Sequence, residues 1–329
     1  MGLRKLAPFW LLILVLMASC GDKPADLSTI EGMNAALEEN PNDTAALYAR
    51  ARYFLGKGKP DSAVVDMQQL IRIDSTRSSY FVTLADIYLV TNRTRFTRQA
   101  LQKAISLDAS NTDAHMKLAE LYLYVEMRQE ALNSLNEVLK RNKTNPKAYY
   151  LKGMVYKEGG DTSLAISSFL TAAEQDPQYA NAYEQLGLIY AAKHDKRAID
   201  FYNNVLKVNP NNSQTRYNIG YFYQQHGELD KAIEVYTELA TKDPTYPFSH
   251  YNIGFILFEY QNKPAEALPY FLQAAKVKAD YAEAIYMAGL CNEKLGNKEL
   301  AVQDYQEALK RNPGFELAAN AIQRLGQKP

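Results

Sequence analysis

A block of 34 residues recurs along most of this chain, and that period constrains the fold more than any other feature of the sequence. The clearest copy runs from Pro146 to Tyr179. Its helical spacing breaks at Gly159-Gly160, where Asp161 can cap a second helix, and ends at Pro177. Glycine supplies the positive φ that a tight turn needs, and proline cannot continue a helix. The block therefore predicts two antiparallel helices joined by a short turn.

Eight such copies follow one another, and a hairpin of this size buries its apolar face only by stacking on its neighbours. The fifth copy is one residue short before Ala198, and the seventh is one residue longer before Ala267. We expect both changes to lie in the turn between the helices, because turns tolerate changes in length. The copies are residues 44–77, 78–111, 112–145, 146–179, 180–212, 213–246, 247–281 and 282–315.

Two columns of this register carry the packing signal. In the second helix an alanine is followed four residues later by a large side chain, as in Ala165 and Phe169, and small-against-large alternation is typical of interdigitated helices. In the first helix the eighth position holds only alanine or glycine, which we interpret as the close approach of two helix backbones. The residues of that column are Ala51, Ala85, Ala119, Gly153, Gly187, Gly220, Gly254 and Gly289.

The period and these columns resemble the tetratricopeptide repeat, a helix-turn-helix unit of 34 residues. The resemblance extends over residues 44–315. It implies an all-α fold in which antiparallel helix hairpins stack into a right-handed superhelical solenoid. It also implies that the first helix of each hairpin lines a concave groove. Residues 27–43 fit the register of a second helix alone and residues 316–329 begin like a first helix, so we expect them to cap the two ends of the array.

The first residues do not belong to the array. Arg4 and Lys5 precede an apolar run, and Met17-Ala18-Ser19 leads to Cys20. This pattern resembles a bacterial lipoprotein signal, which implies removal of residues 1–19, a lipid on Cys20 and a polar tether over residues 20–26. A plain cleaved signal peptide and an uncleaved anchor are the alternatives. We expect a lipid-anchored chain in the bacterial cell envelope, at the periplasmic or surface face of the outer membrane, although Asp22 leaves the choice of membrane open.

Charge and chemistry favour a binding protein over an enzyme. Lysine plus arginine equals aspartate plus glutamate at 37 each, and removal of Arg4 and Lys5 leaves 35 basic against 37 acidic residues. This balance argues against nucleic acid as a partner. The four histidines show no metal-binding spacing, and no phosphate loop or nucleophile elbow occurs. Cys291 falls in an apolar column, which predicts a small core residue. We therefore expect no catalytic residue, no metal and no cofactor.

The predicted groove changes character along the array. The first helices of repeats 6–8 concentrate aromatic side chains, which are common anchors for binding because they combine large area with a polar edge. The alternative is that some of them pack one repeat against the next, since tyrosine is frequent throughout the chain. The candidates are Tyr217, Tyr221, Tyr251, Phe255, Phe258 and Tyr286.

The sixth position of the first helix gives a second candidate. It reads Gln185, Asn218 and Asn252 in repeats 5, 6 and 7. A carboxamide donates and accepts at once, so a row of them can pair with the backbone of an extended peptide. This row is similar to the asparagine ladder of some tetratricopeptide proteins, and ordinary solvated amides are the alternative. The sequence thus predicts a scaffold that binds a protein or peptide segment. A glycan or small-ligand receptor that uses the tyrosine-rich repeats 6–8 is the runner-up.

Overall fold

The computed structural model describes residues 26–326. These residues form helices joined by short turns, without a strand. The predicted signal, Cys20 and the tether up to Ala25 lie outside the described residues. The first helices of the repeats begin at the residues where the 34-residue register begins. They are α2 (Thr44–Gly56), α4 (Ser78–Val90), α6 (Thr112–Tyr124), α8 (Pro146–Glu158), α10 (Ala180–Ala192), α12 (Ser213–Gln225), α14 (Pro247–Phe255) and α16 (Ala282–Lys294).

The second helices follow after short turns, and one further helix lies at each end. The second helices are α3 (Pro60–Ile73), α5 (Thr94–Leu107), α7 (Arg128–Arg141), α9 (Thr162–Gln175), α11 (Arg197–Val208), α13 (Leu229–Lys242), α15 (Pro264–Val277) and α17 (Lys298–Arg311). The end helices are α1 (Ile30–Glu39) and α18 (Glu316–Arg324). Within residues 26–326, none of these helices combines the length and the apolar character needed to cross a membrane.

The turns have the chemistry expected from the sequence. Gly160 has a φ of 82°, in the left-handed region that glycine adopts without steric cost. Asp161 accepts a hydrogen bond from the amide of Leu164 at 3.0 Å and so caps α9. His194 occupies the equivalent turn position of repeat 5, with a φ of 54°. The missing residue of repeat 5 shortens the second helix and not the turn, contrary to the sequence prediction. Residues 193–196 separate α10 from α11, whereas only residues 159–161 separate α8 from α9, and α11 has 12 residues where α9 has 14.

The extra residue of repeat 7 is not in the turn, contrary to the sequence prediction. It lengthens the first helix, which passes from α14 into a π-helix at Ile256–Tyr260. The amide of Gln261 donates to the carbonyl oxygen of Ile256 at 3.1 Å, five residues back. A π-turn accommodates one additional residue within a helix, so the insertion rotates the last residues of this helix relative to those of the other repeats.

The contacts divide the chain into two compact units, one up to Ala114 and one from His115. In the first unit the buried Asp66 of α3 pairs with Arg50 of α2, whose guanidinium donates to both carboxylate oxygens at 2.9 and 2.8 Å. Arg50 also donates to Asn34 of α1 at 2.9 Å. This network fixes α1 on the first hairpin, where the sequence predicts an end cap.

In the second unit the eighth-position glycines face aromatic rings, which corrects the prediction of backbone against backbone. A Cβ on Gly153 would lie 2.5 Å from Cε1 of Phe169, and a Cβ on Gly187 would lie 2.5 Å from Cε1 of Tyr202. Both rings are fully buried. Repeats 1–3 have alanine at this position and Met67, Leu101 or Leu135 where the later repeats have the ring. The eighth position therefore holds glycine where the facing side chain of the second helix is an aromatic ring, and alanine where that side chain is methionine or leucine.

Candidate functional site

Most of the predicted groove tyrosines serve the packing within their own repeats. Tyr217, Tyr251 and Tyr286 hold the fifth position of α12, α14 and α16, and each is half-buried. Each ring contacts an aromatic ring of the second helix and another at the end of the repeat. The ring centroids are separated by 5.8 Å (Tyr217–Tyr236), 5.7 Å (Tyr217–Tyr246), 5.5 Å (Tyr251–Phe271), 5.1 Å (Tyr251–Tyr281), 5.5 Å (Tyr286–Tyr305) and 5.3 Å (Tyr286–Phe315).

One of the predicted aromatic groove residues lies in the interior instead. Phe258 is only 3% exposed and packs against Phe271, with ring centroids 6.5 Å apart. The prediction that Phe258 faces the groove is wrong, because the π-helix changes the orientation of the residues that follow Phe255. Phe255 itself is half-buried and stacks on Tyr251, with an interplanar angle of 18°.

Asn252 is also an interior residue, with 9% of its surface exposed. Its amide nitrogen lies 3.0 Å from the hydroxyl oxygen of Tyr236 and 3.4 Å from that of Tyr217, and it donates to both. Tyr236 donates in turn to Gln224 at 3.0 Å, and burial raises the pKa of its hydroxyl. The predicted role of Asn252 as a ladder rung is therefore corrected, because its amide is turned inward to a buried hydroxyl.

The other two amides of the predicted ladder remain at the surface. Gln185 is half-buried, and its side-chain oxygen accepts from Lys157 at 2.7 Å. Asn218 is half-buried and accepts from Gln214 at 2.9 Å. Only Asn218 lies with the aromatic candidates in one place.

That place is a pocket of about 400 Å³ between the first helices of repeats 5 and 6. Of the predicted residues, Tyr217, Asn218 and Tyr221 line it, and the rings of Tyr217 and Tyr221 are stacked with an interplanar angle of 13°. Tyr221 is 47% exposed. On the α10 side the wall is formed by Leu188, Ala191 and Ala192, and Leu188 is 38% exposed. We refer to this feature as the α10–α12 pocket.

Two histidines complete the wall, and sequence reasoning did not single them out as site residues. The ring of His226 stacks on Phe222 with centroids 3.9 Å apart, and its Nδ1 donates to the Phe222 carbonyl oxygen at 2.7 Å. His194 meets His226 edge to face, with ring centroids 5.5 Å apart. The signal that could have found this site lies in the register: repeat 5 alone has two alanines at positions 12 and 13, and repeat 5 alone is short.

The described residues offer no sign of reactive chemistry. No group of three or more metal-ligating side chains occurs in residues 26–326. Burial raises the pKa of the Cys291 thiol to about 12, so this thiol is protonated at neutral pH. The prediction that Cys291 packs as a small core residue agrees with its complete burial.

Comparison with known proteins identifies the repeats. Residues 116–180 and 255–314 match one family model described as Tetratricopeptide repeat, and residues 201–234 match a second of the same description. Human Tetratricopeptide repeat protein 6 is 28% identical over 158 residues, which are 47% of this chain and 30% of that protein. The Hordeum vulgare protein named Probable UDP-N-acetylglucosamine--peptide N-acetylglucosaminyltransferase SPINDLY is 29% identical over 156 residues, which are 45% of this chain and 16% of that protein. The chain thus spans less than a third of the length of either relative.

Two solved structures are similar to part of this chain at lower identity. The crystal structure of MamA is 22% identical, with a TM-score of 0.46, and the match covers 51% of this chain and 92% of that one. The crystal structure of YrrB, titled a TPR protein with an unusual peptide-binding site, is 22% identical with a TM-score of 0.45, covering 56% and 95%. The family-model matches, together with the helix hairpins, show that the chain contains tetratricopeptide repeats within residues 116–180, 201–234 and 255–314.

Proposed function

We propose that this chain is a lipid-anchored, non-enzymatic scaffold of the bacterial cell envelope, and that its later repeats bind a protein or peptide segment. The binding part of the proposal is carried by one observation, the α10–α12 pocket. The pocket presents the exposed ring of Tyr221 and the amide of Asn218 beside the apolar side chain of Leu188. A concave, mostly apolar site with a few polar groups is the usual form of a binding site.

The envelope part is supported by residues 1–20 alone. The positive pair Arg4-Lys5, the apolar run and Cys20 favour a lipid anchor, and several acyl chains on one cysteine hold a protein stably on a membrane. Replacement of Cys20 by alanine should move the protein from the membrane fraction to the soluble fraction. Cys291→Ala is the matched control and should stay in the membrane. Unchanged fractionation of Cys20→Ala would contradict the anchor.

Site-specific photo-cross-linking tests the binding part in living cells. p-Benzoylphenylalanine placed at Leu188 lies in the pocket wall, whereas the same group at Leu164 lies on α9, outside the pocket residues. The two leucines have similar exposure, 38% and 45%. We expect a discrete protein adduct from position 188 and none from position 164. Equal adducts from both positions, or none from either, would contradict the proposal.

A glycan receptor is the second candidate, and the parallel stack of Tyr217 on Tyr221 favours it, because sugar rings pack on exposed aromatic faces. The two candidates differ in the residues they need. A protein segment should lose affinity when Asn218 is replaced by alanine, since its main chain requires a donor and acceptor pair. A glycan should need Tyr221 and tolerate Asn218→Ala.

A further inference from the structure

The α10–α12 pocket arises where repeat 5 departs from the common register. Positions 12 and 13 of its first helix are Ala191 and Ala192, and both line the pocket. Every other copy has a larger side chain in at least one of these positions, for example Leu89 and Val90 in repeat 2. The turn that follows, residues 193–196, holds His194 at the pocket wall. The small side chains of Ala191 and Ala192 leave space that larger residues fill in the other repeats, so the sequence of repeat 5 creates the cavity.

The wall chemistry restricts what can enter. Among the described residues that line the pocket, none is Asp, Glu, Lys or Arg. With the imidazoles of His194 and His226 neutral, a charged group would therefore lose hydration without meeting an opposite charge, which is strongly unfavourable. The rings of Tyr217 and Tyr221 lie parallel at 6.1 Å, and aromatic faces of this kind favour contact with another planar ring.

Size and polarity give the second restriction. A volume of about 400 Å³ lies within the usual range for ligand pockets and leaves room for one large side chain and part of its main chain. Asn218 on one turn of α12 and Gln225 two turns later place carboxamides in the wall. A carboxamide can donate to and accept from a peptide group next to a buried side chain.

We infer that the α10–α12 pocket holds an uncharged aromatic side chain of the bound protein segment, and that Ala191 and Ala192 determine this specificity. The inference rests on the proposed function. Larger residues at positions 191 and 192 close the pocket, while the rest of the repeat surface stays available to the segment. The side-chain preference can thus be lost without loss of every other contact.

A fluorescent side-chain analogue tests the inference without knowledge of the partner. Trp10 is the only tryptophan of the chain, so the protein expressed with Trp10→Phe and held in detergent is free of tryptophan, whether or not residues 1–19 are removed. The probe is N-acetyltryptophanamide, followed by its fluorescence anisotropy. We expect a saturable rise that N-acetyltyrosinamide reverses at a concentration at least tenfold below that needed with N-acetyllysinamide.

Two variants and a control locate the binding. Ala191→Leu combined with Ala192→Val copies the pair that repeat 2 carries, so the fold accommodates it, and we expect at least tenfold weaker probe binding. Tyr221→Ala removes an exposed ring and should also weaken the probe at least tenfold. Ala265→Leu makes the same alanine-to-leucine change at an exposed position of α15, outside the pocket, and should bind as the parent does. Circular dichroism checks that each variant is folded.

Three results would overturn the inference: no saturable binding to the folded parent, equal binding to the filled variant, or displacement by N-acetylglucosamine but not by N-acetyltyrosinamide. These results are distinct from a failure of the proposed function. A partner cross-linked at position 188 with no probe binding would reject only the aromatic preference. Probe binding without any cross-linked protein would reject only the scaffold function.

Discussion

The amide of Asn252 donates a hydrogen bond to the hydroxyl of Tyr236 at 3.0 Å, inside the second unit. Tyr236 is fully buried, and its hydroxyl donates a hydrogen bond to the side-chain oxygen of Gln224. A buried hydroxyl that loses a partner retains the cost of its lost hydration. This hydrogen bond therefore contributes to the stability of repeats 6 and 7. It connects the two repeats, because Tyr236 lies on α13 and Asn252 lies on α14.

Asn252→Ala should lower the free energy of unfolding by about 1–3 kcal/mol, because it leaves the Tyr236 hydroxyl without its donor. Asn218→Ala is the matched control: its amide is half-buried, and a surface change of this kind costs within about 0.5 kcal/mol. Urea unfolding of both variants measures the difference. Equal stability of the two variants would contradict the inward role of Asn252. If Asn252→Ala is destabilising as expected, a loss of binding by a double Asn218→Ala, Asn252→Ala variant reports instability and is no evidence for an amide ladder.

Substitution of the eighth-position glycines should follow the space that the structure leaves. A Cβ on Gly289 would lie 2.5 Å from the buried ring of Tyr305, whereas a Cβ on Gly254 would lie 3.1 Å from Phe271. Overpacking of a core costs about 1–3 kcal/mol. We expect Gly289→Ala to fall in this range and Gly254→Ala to cost less.

Gly56, the last residue of α2, is the control for the glycine series. Nothing lies within 4 Å of the Cβ that alanine would add there. Alanine is favoured over glycine in a helix by up to about 1 kcal/mol, so Gly56→Ala should be neutral or stabilising. Thermal unfolding of the three variants measures their order of stability. A greater loss for Gly56 than for Gly289 would show that backbone conformation, and not ring contact, sets this column.

His250 makes stability depend on pH. Burial lowers the pKa of its imidazole below the ordinary 6.5, and its buried Nε2 has no hydrogen-bond partner among the described residues. The folded state therefore binds the proton less readily than the unfolded state does. The contribution of His250 is fully present above about pH 6.5 and falls as the pH drops through 6.5 toward the lowered pKa of the folded state.

His250→Tyr separates this effect from the titration of carboxylates. Tyrosine stands at the equivalent fourth position in Tyr149 and Tyr183, so the change keeps a large packing group. When the pH is lowered from 7.5 to 5.5, the melting temperature of the parent should fall further than that of the variant. The same decrease in both proteins would show that His250 titrates alike in the folded and unfolded states.

Tyr221→Ala and Tyr251→Ala should separate binding from packing. Tyr221 is 47% exposed, so its loss should leave the free energy of unfolding within about 1 kcal/mol and reduce partner capture. Tyr251 packs against Phe271 and Tyr281, and its loss should cost at least about 2 kcal/mol, by the cavity it leaves. Capture by the cross-linker at Leu188 and urea unfolding measure the two effects. A destabilised Tyr221→Ala with normal capture would reverse the assignment.

The helical hairpins could be predicted from the sequence because each rests on local chemistry. The turn at Gly159-Gly160 and the stop at Pro177 are fixed by backbone conformation, which neighbouring repeats do not change. The packing of the eighth position could be predicted only in part. Alanine and glycine in this column indicate a close contact, but they do not indicate which group makes that contact. The ring of Phe169 that faces Gly153 is a tertiary contact between two helices.

The candidate site was harder to predict, for two physical reasons. The register places Phe258 on the groove only if the first helix of repeat 7 stays α-helical, and the π-helix at Ile256–Tyr260 removes that condition. The position of Asn252 on its helix suggests an exposed amide, but the partner that turns it inward, Tyr236, lies on another helix. The pocket itself exists because the side chains of Ala191 and Ala192 are small. Alanine is neither reactive nor aromatic, so its residue type gives no direct sign of a binding site.

The most direct test of the account is the yield of protein cross-linked from position 188 in cells, compared between the parent and the Ala191→Leu/Ala192→Val variant. Ala265→Leu serves as the control, and the amounts of folded protein are matched. If the α10–α12 pocket is the binding site, the adduct should fall at least tenfold in the filled variant and stay unchanged in the control. An adduct of equal yield in all three proteins would place the partner elsewhere on the array and contradict the account.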